Sequence, residues 1–234
     1  MRTRVKYCGL VRPQDVDAAV AIGADAVGFV FYARSPRLLD AATAAALRRR
    51  LPSWVSAVGL FVNEPAEAIA AMVREVGLDV VQLHGDESPA DGKSLPTAWW
   101  KAIHIAPSGA TDAAAVAPVD PAGGEAARSA ILQALEAFRD AEFCLLDSAS
   151  IGYGGSGKTF DWAAVPAGVG HRLVISGGLD AANVGAAIAK LRPFGVDTSS
   201  GIQGRHPREK DVGRMEQFMD AVRRADDAAA AKKQ

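Results

Sequence analysis

Short apolar runs alternate with longer amphipathic stretches along nearly the whole chain, and the two kinds of segment predict different elements. The apolar runs are RVKYCGL, AVGFVF, SAVGLFV, VVQLHG, WWKAIHI, EFCLLDS, RLVISGG and GVDTSSG. Each is too short for a typical helix and rich in Val, Ile or Phe, as strands buried on both faces are. Between them, apolar residues recur at helical spacing over Gln14–Ile22, Ala41–Leu51, Ala66–Val76, Ala126–Arg139, Ala181–Leu191 and Val212–Ala225. The stretch after VVQLHG carries Pro89, Gly92 and Pro96 and predicts only a short or irregular helix.

The junctions repeat as well. IGADAV, VGLDVV and FGVDTS each place Gly-x-Asp between a helix end and the next strand, where glycine is the usual residue past the last turn. Eight such units in 234 residues predict an α/β fold, a single (β/α)8 barrel over residues 1–225. An Ala/Lys-rich tail over 226–234 is expected to fray. Even spacing and the lack of a linker disfavour an open, doubly wound sheet. Residues 106–125 are rich in Pro, Gly and Ala and read as a long loop within the domain.

Composition narrows the partners. Lys plus Arg number 26 against 27 Asp plus Glu, a net charge of -1, and no basic tract suggests nucleic acid. MRTRVKYCGL has no apolar run of signal-peptide length, and no stretch is long enough to span a membrane. Two cysteines, Cys8 and Cys144, make no disulfide framework and point to a reducing cytoplasm. The expected partner is a small molecule, with the chain a monomer or homodimer.

A barrel places its chemistry at the C-terminal ends of its strands. There the chain gathers Cys8-Gly9, His84-Gly85, Asp147-Ser148, Ser176-Gly177-Gly178 and Ser199-Ser200-Gly201. A lone cysteine is commonly just a small core residue. Cys8, however, ends a strand, and Lys6 two residues earlier shares its face, where a cation would lower the thiol pKa. Cys144 has the opposite parity to Asp147 and reads as packing. Asp147 serves equally as a turn residue or as an acid whose pKa an apolar mouth would raise. ISGG and DTSSG, ending two consecutive strands, offer backbone N–H groups and hydroxyls to a phosphate. Arg37, in the loop after the second strand, has a planar fork suited to a carboxylate.

One motif points elsewhere. Gly152–Thr159, GYGGSGKT, satisfies the nucleotide phosphate-loop pattern. A true loop of that kind joins a strand directly to a long helix. Here SASI intervenes and FDWAAV meets Pro166 within about two turns, so these glycines read as a mobile loop able to close over a substrate.

Taken in order, KYCGL, ADAVGFVFYARSPR, VGLFVNEP, VVQLHGDE, FCLLDS, GGSGKTFDW, ISGGL and GVDTSSG…KD resemble the phosphoribosylanthranilate isomerase family of tryptophan biosynthesis. The resemblance implies a (β/α)8 barrel without metal or organic cofactor. It implies Cys8 as general base and Asp147 as general acid of an Amadori rearrangement, their pKa values pushed apart. Arg37 would hold the anthranilate carboxylate. Gly177, Gly178, Ser199, Ser200 and Gly201 would receive the phosphate, with Asp197 nearby and GGSGKTF as lid. Tyr7, the long 106–125 connection and the extra arginines Arg205 and Arg208 depart from the family pattern. The rival readings are another phosphosugar barrel, a nucleotide-binding protein using Gly152–Thr159, and a non-catalytic phosphometabolite sensor.

Overall fold

Every apolar run contains a strand, and the strands close on themselves. The computed structural model describes residues 2–105, 125–148 and 159–231. Strands β1 (Arg4–Cys8), β2 (Ala26–Val30), β3 (Ser56–Phe61), β4 (Val80–Leu83), β5 (Ala98–Ile105), β6 (Phe143–Ser148), β7 (Leu173–Ile175) and β8 (Gly195–Thr198) form a closed parallel barrel in chain order. Helices α1 (Pro13–Ile22), α2 (Ala41–Arg48), α3 (Ala66–Val76), α4 (Pro89–Lys93), α5 (Glu125–Ala137), α6 (Val184–Leu191) and α7 (Val212–Ala231) surround it. As the prolines predict, α4 is a single short turn, capped by the reciprocal pair Ser88 and Asp91.

Three helix bounds differ from the periodic pattern by three residues or more. Helix α2 stops at Arg48, after which Arg50 and Leu51 fold back in tight turns. Helix α6 starts at Val184 rather than Ala181, because Asp180 Oδ1 accepts the Ala182 and Asn183 N–H groups and holds that segment as a turn. Helix α7 runs six residues past Ala225. Its Asp226 accepts both the N–H and the hydroxyl of Thr3 at 2.7 Å, and alanine favours continuing the helix.

Strand parity separates two apolar regions. Outward residues such as Val5, Tyr7, Val27, Phe29 and Cys144 pack with the helices in the main core. Burial pushes the Cys144 thiol up to about 11, which fits its reading as packing. Inward residues stack in smaller layers. Ala26, Val58, Val80 and Trp100 lie together, as do Ala102, Leu145 and Val174, while Cys8, Val30, Leu60 and Val62 form a third group. Tyr7, a departure from the family pattern, faces outward: its ring meets Phe218 edge-on and its hydroxyl donates to the Met215 carbonyl at 2.7 Å. It leaves the barrel mouth untouched. Among the described residues no helix is long and apolar enough to cross a membrane.

Candidate active site

Inside the barrel, polar side chains replace apolar ones toward the C-terminal ends of the strands. Lys6 and Cys8 share the inward face of β1. Cys8 pairs in register with Gly28 of β2. A Cβ at position 28 would lie 2.8 Å from the Cys8 sulfur and 3.2 Å from Lys6 Cε. Glycine there is what lets both side chains occupy that wall, and a glycine inside a strand gives no such signal in the sequence.

Lys6 also pairs in register with Asp197 of β8, and its Nζ sits 3.0 Å from the carboxylate with both side chains buried. Burial pulls the ammonium down, but Asp197 and Cys8 together lift it above its ordinary value. The lysine charge is therefore shared between Asp197 and Cys8. Burial, opposed by Lys6, pushes the Cys8 thiol above its ordinary 9.0, correcting the expectation of a lowered thiol pKa. Removing one member of a buried pair leaves a lone charge, at a cost of about 3–5 kcal/mol. Lys6→Met is expected to lose that much unfolding free energy in urea; a loss under about 1 kcal/mol would contradict the pairing.

Asp147 is the penultimate residue of β6, and its register partner on β5 is His104. Just past the end of β4, His84 has its Nε2 3.3 Å from Asp147 Oδ2. The Gln82 side-chain amide donates to His84 Nδ1 at 3.0 Å, which places the ring proton on Nε2, facing the carboxyl group. This bond leaves Asp147 Oδ1 as the atom available to hold and deliver a proton. His104 Nε2–H donates to the His84 carbonyl at 2.9 Å. Burial, then His84, pulls the His104 ring below its ordinary 6.5, so it is neutral at pH 7. The sequence marks His84 as a strand-end polar residue, but its hold on Asp147 depends on the relative register of β4, β5 and β6.

Cys8 and Asp147 line one cavity, with Arg37, Gly177, Gly178, Asp197, Ser199 and Ser200. Arg37 is half-buried; its Nε donates to the Pro207 carbonyl at 3.0 Å and its Nη2 to Gln203 Oε1. Burial pulls its guanidinium below the ordinary value. Among the described residues Arg37 has no carboxylate partner, and a buried cation held only by neutral acceptors gains from an incoming anion. Gly177 and Gly178 turn the chain after β7 with φ of 80° and 64°, and Asn183 donates to the Gly178 carbonyl at 2.8 Å.

A family model described as "N-(5'phosphoribosyl)anthranilate (PRA) isomerase" matches residues 5–121 and 124–221. The chain belongs to this family. An N-(5'-phosphoribosyl)anthranilate isomerase of Methylibium petroleiphilum is 44% identical over 231 residues, covering 99% of each chain. The crystal structure of phosphoribosyl anthranilate isomerase from Thermotoga maritima overlays with a TM-score of 0.76 at 34% identity, covering 94% of this chain and 98% of that one. A phosphoribosyl anthranilate isomerase structure described as a complex with reduced 1-(o-carboxyphenylamino)-1-deoxyribulose 5-phosphate overlays at 0.73 with 31% identity, with the same coverage.

Gly201 differs from the sequence reading, and Arg208 and Lys210 have contacts that the sequence does not show. Gly201 does not line the cavity; a side chain there would strike the Leu179 carbonyl, so this glycine serves packing. Arg205 and Arg208 are both exposed; Arg208 donates to the carbonyls of Pro36 and Leu38 at 2.9 and 3.2 Å, bracing the loop that carries Arg37. Lys210, part of the KD that closes the resemblance, is buried, and its Nζ donates to the Ser199 carbonyl and hydroxyl at 2.8 and 3.2 Å. Burial, then Arg37, pulls its ammonium down to about 7. Ser199 in turn donates to the Cys8 carbonyl at 3.0 Å, tying the two loop ends together.

Of Gly152–Thr159 only Thr159 belongs to the described residues, and most of the expected lid lies outside them, as does the 106–124 connection. Beyond Thr159 the chain makes a single turn over Trp162–Ala164, capped by Asp161. A long helix facing a nucleotide phosphate is not found there.

Proposed function

We propose that this chain converts N-(5-phosphoribosyl)anthranilate to 1-(2-carboxyphenylamino)-1-deoxyribulose 5-phosphate, the isomerase step of tryptophan biosynthesis, in the cytoplasm. The observation that carries the proposal is the placing of Cys8 and Asp147 on one cavity, with the Arg37 guanidinium and two glycine- and serine-bearing strand ends on the same walls. The anthranilate carboxylate lies on Arg37. The phosphate lies on Gly177, Gly178, Ser199 and Ser200, where Lys210, anchored on Ser199, adds a positive charge.

Asp147 delivers its proton to the ring oxygen of the ribose; the C1′–O bond breaks and the nitrogen lone pair forms the iminium. Cys8, as thiolate, removes the C2′ proton, and the C2′–H electron pair becomes the C1′=C2′ bond of the enolamine. Protonation at C1′, with loss of the C2′ hydroxyl proton, then gives the aminoketone. These steps need only a proton donor and a proton acceptor, so the chemistry calls for neither metal nor organic cofactor. Besides the substrate, the partner proposed is at most a second copy of the chain. Trp54, 86% exposed before β3, is the apolar side chain a homodimer contact would cover.

The test is growth. Expression in a tryptophan auxotroph lacking this isomerase should restore growth on minimal medium, and failure by soluble, folded protein would refute the proposal.

The raised thiol pKa has its own consequence. Alkylation follows the thiolate fraction, and a pKa above 9.0 leaves little thiolate at pH 7. The rate of Cys8 modification by iodoacetamide, read by peptide mass spectrometry, should rise about tenfold per pH unit from 7 toward 9. A rate already flat between pH 6 and 8 would mean a thiolate at rest and would contradict it.

A further inference from the structure

Lys210 stands behind one of the strand ends read as the phosphate site, and its backbone is held from several sides. It bridges to Gln203, its N–H donates to Asp15 Oδ2 at 3.2 Å, and its carbonyl accepts from Arg12 Nη2 at 3.2 Å. The residue is only 4% exposed. Its ammonium donates to the carbonyl and hydroxyl of Ser199, whose one hydroxyl proton goes to the Cys8 carbonyl. Lys210, Ser199 and Cys8 thus form one run of hydrogen bonds, from behind the β8 end to the β1 end that carries the base.

What this corner lacks is negative charge. Among the described residues the Lys210 ammonium and the Arg37 guanidinium are both held by neutral oxygens alone. The acids that act on Lys210, Asp197 and Asp15, are paired with Lys6 and Arg12. The two cations also lie near one another. A Cβ at Gly9 would strike Arg37 Cδ and come 3.3 Å from Ser199 Oγ, the atom that holds Lys210. A guanidinium keeps its proton, whereas a buried amine beside it can release one. The pull on Lys210 toward about 7 has this origin, burial first and Arg37 second. A dianion at the β8 end reverses the balance, because it attracts the ammonium and not the amine.

We infer that Lys210 is a positioning residue that takes up a proton as the phosphate binds, so that anion and proton enter the site together. The inference rests on the reading of the two strand ends as the phosphate site. Lys210 does not line the cavity; it acts from behind, through Ser199 and through its charge. The other charged groups around it do not share the role near pH 8. Arg37 and Arg12 stay charged, and the Cys8 thiol lies above 9.0. Asp197 is paired with Lys6, and Asp15 and Glu209 with Arg12. Below pH 7 the amine already carries its proton, so affinity for the anion is level there. Above pH 7 the proton must arrive with the anion, and affinity falls as pH rises.

The experiment titrates the full chain with sodium sulfate, which stays a dianion at every pH used, by calorimetry in buffers of different ionisation enthalpy. At pH 8 the parent should take up about one proton per sulfate, and from pH 7.5 to 8.5 its affinity should fall close to about tenfold. Lys210→Arg should bind sulfate with neither the uptake nor the slope, since its charge is permanent. Should arginine not fit the buried space, Lys210→Met keeps the stem. It should bind at least about tenfold more weakly at pH 6, again without uptake. Comparison with these variants cancels proton uptake by every other group. Sulfate bound by the parent without uptake, or with the same uptake in the variants, would overturn the role of Lys210 and leave the phosphate site standing. No sulfate binding to the parent at any pH would remove the phosphate site, and the inference with it. Because no turnover is read, failure of the isomerase step alone would produce neither result.

Discussion

Asp147→Asn is expected to lower kcat at least about 10²-fold, the scale on which a positioned acid acts. The substitution is nearly isosteric, and the asparagine carbonyl still accepts from His84 Nε2–H, so the strand end should keep its geometry. What disappears is the proton on Oδ1, without which the ribose ring oxygen leaves as an alkoxide. With binding proposed to rest on Arg37 and the two strand ends, KM should change much less than kcat. Steady-state kinetics decides it. Turnover within about tenfold of the parent would show that another group supplies the proton.

Cys8→Ser is expected to cost at least as much, for a different reason. The serine hydroxyl fits the space that Gly28 leaves, but at accessible pH it stays protonated and cannot act as the base at C2′. The Lys6 ammonium, which position 8 shares with Asp197 at 3.0 Å, is not enough to ionise an alcohol. The variant should still open the ring and bind substrate, so a tight complex with slow turnover is the expected phenotype. Normal kcat would remove Cys8 from the mechanism, and a rise in KM alone would reduce it to a wall of the site.

The barrel could be read from the chain because strands buried on both faces leave continuous apolar runs, and all eight runs contain a strand. Cys8, Asp147 and the ISGG and DTSSG ends were legible for a related reason: polar residues stand out at the end of an apolar run. Helix ends were less so, since the Asp180–Asn183 turn and the continuation of α7 depend on side-chain hydrogen bonds rather than periodicity. The partners of the candidate pair could not be read. Whether Lys6 serves Cys8 alone or Asp197 as well is settled by the β1–β8 register, and whether His84 touches Asp147 by three strands at once. Gly28 and Gly201 sit in ordinary-looking segments; only the space around them separates the glycine that makes room for Cys8 and Lys6 from the one that clears a backbone carbonyl.

Isomerisation carried out in D2O follows the proton transfers themselves. With the parent protein, loss of the C2′ hydrogen to Cys8 and protonation of the enolamine from solvent should leave a deuterium on C1′ of the product, seen by NMR, and Cys8→Ser should form this species at least about 10²-fold more slowly. A product that carries the C2′ hydrogen intact to C1′, or one formed equally fast without the thiol, would contradict proton abstraction by Cys8.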